Sequence, residues 1–350
     1  MRHSSQQKDI AAAIGVSVST VSLALSGKGE EFRISPETIL RIQQAAKDMA
    51  YRVDRTARSL RTRRYHTIGL LFHSTREPLY AELIPAIQTL LARHDYAVVC
   101  SFWNRTQDVD ASIHAVLDHG VDGIITCHDY RRFTMNLPVV FFAIEPDSSV
   151  RDGICLDRSK TFLGAVKYLL DLGHRRLMAV NSYNESAELV ALLAQNNATL
   201  EQATVEGNGI YDTAKPEFAK KVSAFASRPQ STRPTGLICR NDAEAIRTIA
   251  LLQRSGLDVP KDVSVVGFDA IDQGSWTNPP LTTFGIPSSI LAQRLVDKLL
   301  ARIERPEAPP NLETVVYPLL ERGSCKPTER SGCPTTANFS GASLALSPTT

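Results

Sequence analysis

The sequence predicts two parts of different fold class, an all-α headpiece at the N-terminus and an α/β sensor made of two doubly wound lobes. Between residues 8 and 49 the apolar residues recur at intervals of three and four, the period of amphipathic helices. From residue 66 onward, apolar runs alternate with amphipathic stretches, which indicates parallel sheets covered by helices. The number of strands expected in this part fits two sheets better than one.

The first two helices are predicted within Lys8–Ser26, KDIAAAIGVSVSTVSLALS. Gly15 can adopt the left-handed conformation that ends a helix, and Ser17 is a favourable N-cap for the next helix. Successive residues of the second helix are rotated by about 100°. This rotation gives one face with Thr20, Val21, Ala24 and Leu25 and another with Val18, Ser19, Ser22, Leu23 and Ser26. Short hydroxyl side chains on an outer face let a helix enter a DNA groove, as a helix-turn-helix motif requires. An ordinary αα-hairpin with a serine-rich solvated face satisfies the same pattern.

A third helix is predicted to begin at Ser35-Pro36, with a packing face made of Ile39, Ile42, Ala46 and Met49. The arginine-rich stretch that follows contains one large apolar side chain, Leu60. Leu60 either anchors this stretch to the next domain or acts as a wedge in a widened minor groove. Residues 1–66 contain 12 Lys and Arg against 6 Asp and Glu, whereas the remainder contains 27 against 31. This asymmetry is expected when only the first part contacts a polyanion.

Strands and helices alternate in the predicted sensor. We predict strands at 67–72, 97–102, 123–127, 139–144, 176–181, 235–240 and 263–268, and helices at 79–94, 108–119, 159–172, 214–226, 242–255 and 288–303. Ligands of such folds bind outside the carboxyl ends of the strands, so the crevice between the lobes is the expected pocket. Residues 323–350 are rich in Ser, Thr, Pro and Gly, which predicts a disordered tail.

The cysteines and the N-terminus indicate a cytoplasmic location. Cys100, Cys127, Cys155 and Cys239 fall in apolar runs that predict buried strands, and Cys325 and Cys333 fall in the tail without zinc-ligand spacing. The first residues lack the apolar core of a signal peptide, and no apolar run approaches the ~18 residues of a membrane helix. The sequence also lacks a Gly-x-Ser-x-Gly elbow, a His-Glu-x-x-His motif and a Walker loop. We therefore expect no enzyme activity, no cofactor, no metal and no membrane partner.

The order of these parts resembles the lactose/galactose repressor family of bacterial transcription regulators. The resemblance covers roughly residues 1–322. The motifs that carry it are Asp9-Ile10-Ala11, Gly15-Val16-Ser17, Ser19-Thr20-Val21-Ser22, Ile34-Ser35, Ala57-Arg58-Ser59-Leu60, Gly120-Val121-Asp122-Gly123, Leu172-Gly173-His174-Arg175, Asn241-Asp242, the run VSVVGFD at 263–269, and Pro279-Pro280-Leu281-Thr282-Thr283.

The resemblance implies a helix-turn-helix DNA-binding domain at 1–52, a hinge helix or linker at 53–65 and an effector-binding domain at 66–322. The latter would resemble a type I periplasmic binding protein, with lobe 1 at about 66–157 and 286–312 and lobe 2 at about 158–285 and 313–322. The expected partners are a second copy of the chain, a double-stranded, pseudo-palindromic DNA operator and a small effector, for which a sugar-like molecule is favoured. The DNA-binding residues would be Ser17, Val18, Ser19, Thr20, Ser22 and Leu23 in the major groove and Arg55, Ala57, Arg58 and Leu60 at the minor groove.

The sequence departs from the family pattern at three places. Leu23 stands where many members carry an arginine that reads guanine. In the sensor, Ala143 stands where an aspartate often follows the strand, and SYNESAELVALLAQN replaces an arginine-rich run that supplies a ligand-binding arginine in many members. Two polar anchors for an effector are therefore missing.

Seven residues at predicted strand ends and loops are candidates for effector binding: His73, Tyr80, His128, Tyr183, Asn241, Asp269 and Trp276. Each has a structural alternative. Asp269 could cap a helix or link the lobes, and Trp276 could pack under the chain crossover instead of stacking on a sugar ring. A single histidine or tyrosine at a loop is also common on any protein surface. A regulator that has lost or altered its effector, and a solute-binding protein of a transport system, are the alternatives to an effector-controlled regulator.

Overall fold

The computed structural model describes residues 7–51, 64–73, 77–102, 109–127, 137–143, 152–181, 186–204 and 216–328. The chain divides into two units, Met1–His66 and Thr67–Thr350. The first unit has its own hydrophobic core, and the second unit contains larger cores built on two sheets.

Three helices form the first unit: α1 (Gln7–Ile14), α2 (Val18–Leu25) and α3 (Pro36–Asp48). Each helix contributes one completely buried side chain to the common core, namely Ile10, Val21 and Ile42. Three further buried residues of the core are alanines, one on each helix, so the three helices can approach closely. The packing faces predicted for α2 and α3 are confirmed.

The helix boundaries of the first unit follow from local chemistry. Gly15 has a φ of +73°, the left-handed conformation that ends α1. Ser17 caps α2, because its Oγ accepts a hydrogen bond from the backbone N–H of Thr20 at 3.0 Å. Ser35 caps α3 in the same way through the N–H of Thr38, at 3.3 Å. The predicted turn and both predicted helix starts are confirmed.

Lobe 1 of the second unit contains a sheet of six parallel strands in the order β11-β5-β4-β3-β1-β2. Its strands are β1 (Thr67–Phe72), β2 (Ala97–Phe102), β3 (Gly123–Thr126), β4 (Val139–Ala143), β5 (Asp152–Leu156) and β11 (Leu312–Val315). Its helices are α4 (Pro78–Arg93), α5 (Val109–Leu117) and α10 (Ser288–Glu304). Helix α10 packs against α4 and crosses β3, β4 and β5, which closes one face of the sheet.

Lobe 2 contains a second six-stranded sheet in the order β12-β10-β9-β8-β6-β7, in which only β12 is antiparallel to its neighbour. Its strands are β6 (Arg176–Val180), β7 (Thr199–Ala203), β8 (Gly236–Cys239), β9 (Ser264–Phe268), β10 (Thr282–Phe284) and β12 (Leu319–Leu320). Its helices are α6 (Arg158–Asp171), α7 (Ala187–Gln195), α8 (Pro216–Ala226) and α9 (Asp242–Arg254), with a 3-10 helix at Asp272–Trp276. The prediction of two doubly wound lobes is confirmed.

All seven predicted strands and all six predicted sensor helices are present, with ends that agree to within two residues. The sequence interpretation missed β5, β7, β10, β11, β12 and α7. Strands β7 (TLEQA) and β11 (LETV) lie at sheet edges and contain no fully buried residue, so neither forms the continuous apolar run of a buried parallel strand. Strands β10 and β12 are only three and two residues long.

Two predicted boundaries of the second unit are wrong. Strand β11 (Leu312–Val315) pairs with β5, so the chain leaves lobe 1 after residue 315 and not at 312. The tail predicted to be disordered from Gly323 begins too early, because Ser324 is completely buried. The Ser324 hydroxyl donates to the carbonyl of Val265 at 2.6 Å and accepts from the N–H of Thr282 at 2.8 Å. Composition alone cannot reveal a serine that joins the backbones of two strands.

The cysteines agree only in part with the prediction of buried strands. Cys155 and Cys239 are buried and Cys127 is half-buried, but Cys100 is exposed because β2 is the edge strand of its sheet. Cys325 belongs to the folded part of lobe 2, where its Sγ lies 3.3 Å from the carbonyl oxygen of Val265.

Within the described part of the chain, none of the helices is by itself long and apolar enough to cross a membrane. The bent pair α1 and α2, with 109° between its members, meets the length and composition criteria only when the two are taken together. The described residues also include no group of three or more His, Cys, Asp or Glu side chains placed to hold a metal ion.

Candidate DNA-binding surface and effector cleft

Helix α2 has one buried face and one outer face, as its sequence predicts. Val21 and Ala24 are buried in the core, whereas Val18 is 47% exposed and Ser19 is also exposed. Ser22 and Leu23 are half-buried on the outer side. The outer face therefore presents small hydroxyl and apolar groups without a charged side chain.

Three hydroxyl groups meet where α2 begins. The Oγ of Ser17 lies 2.7 Å from the Oγ of Ser19 and 2.8 Å from the Oγ1 of Thr20, in addition to its bond with the Thr20 N–H. These short contacts hold the hydroxyls at a helix N-terminus, where backbone N–H groups and the helix dipole favour a phosphate oxygen. The start of α2 can thus contact a DNA backbone while the rest of its outer face meets base edges.

The candidate residues of the hinge, Arg55, Ala57, Arg58 and Leu60, lie outside the described residues. A contact not expected from the sequence comes from α3: the Nη2 of Arg41 donates to the carbonyl of Ile14 at 3.2 Å. This bond satisfies a carbonyl at the end of α1, next to the turn that orients α2. Arg41 therefore stabilises the turn of the predicted helix-turn-helix motif.

A cleft lies between the lobes where strands of both sheets end. Its cavity is lined by Leu156 at the end of β5, by Arg158, Thr161 and Phe162 of α6, and by Arg240, Phe268 and Asp269 at the ends of β8 and β9. The cavity contains about 280 Å³ of empty space including its open part, of which about 10 Å³ can be occupied by the centre of a water molecule. The cleft as it stands has room for about one water molecule.

Between described residues, two hydrogen bonds join the lobes beside this cleft. The Nδ2 of Asn241 donates to the Oε1 of Glu77 at 3.2 Å, and the backbone N–H of Asp272 donates to the Oε1 of Glu82 at 2.9 Å. Glu77 is buried, and burial raises its pKa to about 7, with a further contribution from the negative charge of Asp269. Glu77 and Asn241 form a buried contact that holds the lobes together.

Asp269 lies at the end of β9 in a backbone conformation that side chains rarely adopt, with a φ of 103°. Its N–H donates to the carbonyl of Phe284 at 2.9 Å, and its carboxyl group lines the cavity. Removal of this carboxyl group from water raises its pKa to about 6, although the positive charges of Arg158 and Arg240 oppose the shift. Its position is compatible with effector binding, and among the described residues no hydrogen bond of its side chain to a cap or across the lobes supports the structural alternative.

Both polar atoms of Asn241 are used within the protein. Its Oδ1 accepts from the N–H of Glu244 at 2.9 Å and so caps α9, while its Nδ2 donates to Glu77. The sequence interpretation assigned Asn241 to the effector, but in the closed cleft it is a helix cap and a lobe-linking residue.

The other effector candidates have different surroundings. His73 is half-buried at the end of β1. Tyr80 belongs to the first turn of α4, as the predicted helix at 79–94 implies, and the centroid of its buried ring lies 5.1 Å from that of Phe72. Trp276 ends the 3-10 helix and is 77% exposed, so the alternative of packing under the crossover is wrong. His128 and Tyr183 lie outside the described residues.

Sequence reasoning missed Glu77, Arg158 and Arg240, which contribute most of the charge in the cleft. Glu77 precedes a proline at a helix start, Arg158 is the first residue of α6, and Arg240 follows β8. Their positions at strand ends or helix starts are those expected for ligand contacts, but each looks like an ordinary surface charge in the sequence.

Comparison with known proteins identifies relatives of both units. The family described as "Bacterial regulatory proteins, lacI family" matches residues 7–54, and "Periplasmic binding protein-like domain" matches residues 166–325. The ribose operon repressor of Escherichia coli K12 is 28% identical over 333 residues, which cover 91% of this chain and 98% of that protein. The HTH-type transcriptional repressor PurR of Vibrio campbellii is 29% identical over 318 residues, covering 86% and 92%.

The fold is also that of a solved repressor. The structure of the lac repressor dimer bound to operator and the anti-inducer ONPF has a TM-score of 0.71 to this chain and 23% identity, and the match covers 92% of this chain and 99% of the other. This likeness supports the arrangement of a helical headpiece followed by two periplasmic-binding-protein-like lobes.

Proposed function

Since the chain is a DNA-binding transcription regulator of the lacI family and not an enzyme, we propose that it acts as a dimeric repressor whose affinity for a pseudo-palindromic operator is modulated by a small effector. A two-fold symmetric dimer would offer two copies of α2 to two half-sites, which accounts for the expected symmetry of the operator. The lacI-type headpiece argues against the alternative of a solute-binding protein of a transport system.

The observation that carries the operator proposal is the division of α2 into a buried and an outer face. We assign DNA contacts to Ser17, Val18, Ser19, Thr20, Ser22 and Leu23, and minor-groove contacts to Arg55, Ala57, Arg58 and Leu60. The outer face of α2 has neither a charge nor an amide, so base recognition by this helix is modest. Specificity would then depend also on the hinge and on DNA shape.

We place the effector in the cleft between the lobes, because Asp269 and two arginines line a cavity there. His73, Tyr80, His128, Tyr183, Asn241 and Trp276 remain further candidates, of which Asn241 would have to exchange its bond with Glu77 for one with the effector. The names of the relatives point to ribose for one regulator and to the anti-inducer ONPF for another. A sugar-like effector is the corresponding proposal for this chain.

The domain assignment that goes with this function is a DNA-binding domain at 1–52, a hinge at 53–65 and an effector-binding domain that extends to residue 328. The chain passes from one lobe to the other near residues 157, 286 and 316. A regulator of bacterial genes acts where the DNA is, so we propose a cytoplasmic location.

The second candidate function is a repressor with lost or altered effector binding. The observation in its favour is the small space in the cleft, together with the apolar cluster that runs from lobe 1 into lobe 2 through Leu156, Phe162 and Phe268. In this case operator binding would be constitutive.

The operator proposal can be tested by selecting binding sites from a random duplex library and measuring the affinity for the selected site against salt concentration. We expect pseudo-palindromic sites and a log–log slope of about −0.9 for each phosphate contact. Val18→Glu, on the outer face of α2, should abolish selection of the site. Leu40→Glu is the matched control, because it adds the same charge at an exposed position of α3. A flat salt dependence, or equal loss in both variants, would reject the assignment.

A further inference from the structure

Lobe 2 contains a second cavity, on the face of its sheet that does not join the core shared with lobe 1. Along β6, Leu177 and Ala179 belong to that shared core, whereas Met178 and Val180 point to the opposite face and belong to a separate core with α8 and α9. The cavity lies in this separate core. It contains about 340 Å³ of empty space including its open part, of which about 30 Å³ can be occupied by the centre of a water molecule. It is therefore distinct from the effector cleft.

The described walls of this cavity are apolar apart from two side chains, Thr248 and Lys221. The Sγ of Cys239 donates to the Oγ1 of Thr248 at 3.7 Å, and the Nζ of Lys221 donates to the carbonyl of Thr204. A buried water molecule needs two to four polar partners, which these walls do not offer. The cavity therefore favours an apolar group over water. Its apolar walls are Met178, Val180, Ala203, Phe218, Val222, Phe225, Leu237 and Leu252.

The cavity opens at Lys221 and Ala203. Lys221 is exposed and Ala203 is half-buried, whereas the other described residues of the walls are buried. An ammonium group has three N–H donors, and that of Lys221 uses one of them for the neutral carbonyl of Thr204. Among the described residues, no carboxylate is paired with this ammonium group. A carboxylate at the opening would therefore gain an opposite charge and a charge-assisted hydrogen bond.

We propose that this cavity is a second ligand site, independent of the effector cleft, for a short aliphatic carboxylate. The alkyl group fills the apolar cavity, and the carboxylate accepts a hydrogen bond from Lys221 at the opening. The free space corresponds to about two water molecules, which suits a branched alkyl group of a few carbon atoms. The flexible side chain of Met178 lets the wall adapt to the shape of that group.

The methyl group of Met178 reports directly on the cavity. The chain contains four methionines, so methionine carrying a 13C-labelled methyl group gives a simple NMR spectrum of the full chain, and Met178→Leu identifies the signal. The probe is sodium 3-methylbutanoate. We expect a saturable shift of the Met178 signal, with a dissociation constant on the order of 1 mM for a ligand of so few atoms. Met49, in the headpiece, is the internal reference and should not shift. Absence of a saturable shift at Met178 would overturn the proposal.

Two analogues separate the alkyl group from the charge. 3-Methylbutan-1-ol retains the alkyl group without the charge, and should bind about two- to five-fold more weakly, the usual effect of one exposed ion pair. Acetate retains the charge without most of the alkyl group, and should bind on the order of 50-fold more weakly because it buries about three fewer carbon atoms. Acetate binding as tight as that of 3-methylbutanoate would mean that the cavity is not filled, and would reject the site.

Lys221→Gln and Ala203→Leu locate the ligand. Lys221→Gln should weaken 3-methylbutanoate about two- to five-fold and leave the alcohol unchanged. Lys220→Gln is the matched control, because it removes the same charge from the exposed neighbouring residue of α8, which does not line the cavity. Ala203→Leu narrows the opening and should weaken both ligands. Equal losses in the two lysine variants, or unchanged binding in Ala203→Leu, would contradict the assignment. Urea unfolding followed by tryptophan fluorescence checks that each variant keeps the fold of the second unit.

Discussion

The headpiece and the sensor cleft differ in how far apart along the chain their contacting residues lie. The cap of α2 joins Ser17 to Thr20, three residues away, whereas the lobe contact joins Glu77 to Asn241, which are 164 residues apart. A recognition surface made of neighbouring residues is encoded in a short motif. A cleft assembled from strand ends depends on the whole topology of two sheets, so its chemistry can change while the fold is retained.

The two regions also differ in how much core supports them. In the part of the headpiece that the structure describes, three large side chains are completely buried, Ile10, Val21 and Ile42, whereas the core of the second unit extends through both lobes. The largest effect on headpiece stability and operator affinity is therefore expected from Ile42→Ala. Loss of a buried isoleucine costs about 2–5 kcal/mol, which is a large part of the stability of a small unit. Operator affinity should fall steeply, and amide hydrogen exchange should increase throughout α1, α2 and α3.

The stability of the second unit can be measured separately by tryptophan fluorescence, because both tryptophans, Trp103 and Trp276, belong to that unit. Urea unfolding followed by tryptophan fluorescence should be unchanged by Ile42→Ala. Leu40→Ala on the same helix is the control, since Leu40 is 65% exposed, and it should leave hydrogen exchange of the headpiece unchanged. A shift of the tryptophan transition by Ile42→Ala would show that the two units do not unfold independently.

The next effect concerns the cleft and depends on pH. The pKa of Glu77 is about 7 in the folded protein and 4.5 in the unfolded chain, so the folded state holds the proton more strongly. The contribution of Glu77 to stability therefore declines as pH rises from 4.5 to 7 and stays constant above that. Glu77→Gln removes this charge but keeps an oxygen for Asn241. At pH 8 the variant should be more stable than the natural protein by about 2–3 kcal/mol, with little difference at pH 4.5.

The measurement for Glu77→Gln is urea unfolding of the second unit at pH 4.5, 6 and 8. Glu82→Gln is the matched control, because Glu82 accepts the other bond between the lobes and has a more exposed carboxyl group. If the stability of the two variants depended on pH in the same way, the raised pKa of Glu77 would not be the cause of the gain in stability at pH 8.

The accuracy of the sequence interpretation follows this difference between local and long-range contacts. Gly15, Ser17 and Ser35 were predictable because each acts on residues next to it in the chain. Tyr80 was correctly placed at the start of the predicted helix 79–94, but the burial of its ring against Phe72 could not be predicted, because Phe72 belongs to a different element, β1. Arg158 could not be recognised because its relation to Asp269 exists only after β5 and β9 lie in adjacent sheets.

Asn241 shows a second limit of sequence reasoning. Its position at the end of β8 was interpreted correctly, but its partners were not. Its Oδ1 caps α9 within lobe 2, whereas its Nδ2 donates to Glu77 of lobe 1, and the sequence does not show the second contact. A motif can therefore place a residue at a site without stating which group it binds there. The headpiece has less of this ambiguity, because Val18 and Ser19 on the outer face of α2 are exposed among the described residues of its unit.

The smallest effect separates stability from recognition within the headpiece. Ser17→Ala and Ser35→Ala each remove an N-cap, at about 1 kcal/mol, from α2 and α3 respectively. If the hydroxyl cluster at Ser17 contacts DNA, Ser17→Ala should weaken operator binding several-fold more than Ser35→Ala at equal loss of headpiece stability. Hydrogen exchange of the headpiece gives the stability change, and titration with the selected operator gives the affinity. Equal affinities in the two variants would mean that Ser17 acts only as a cap, and base recognition would then begin at Val18.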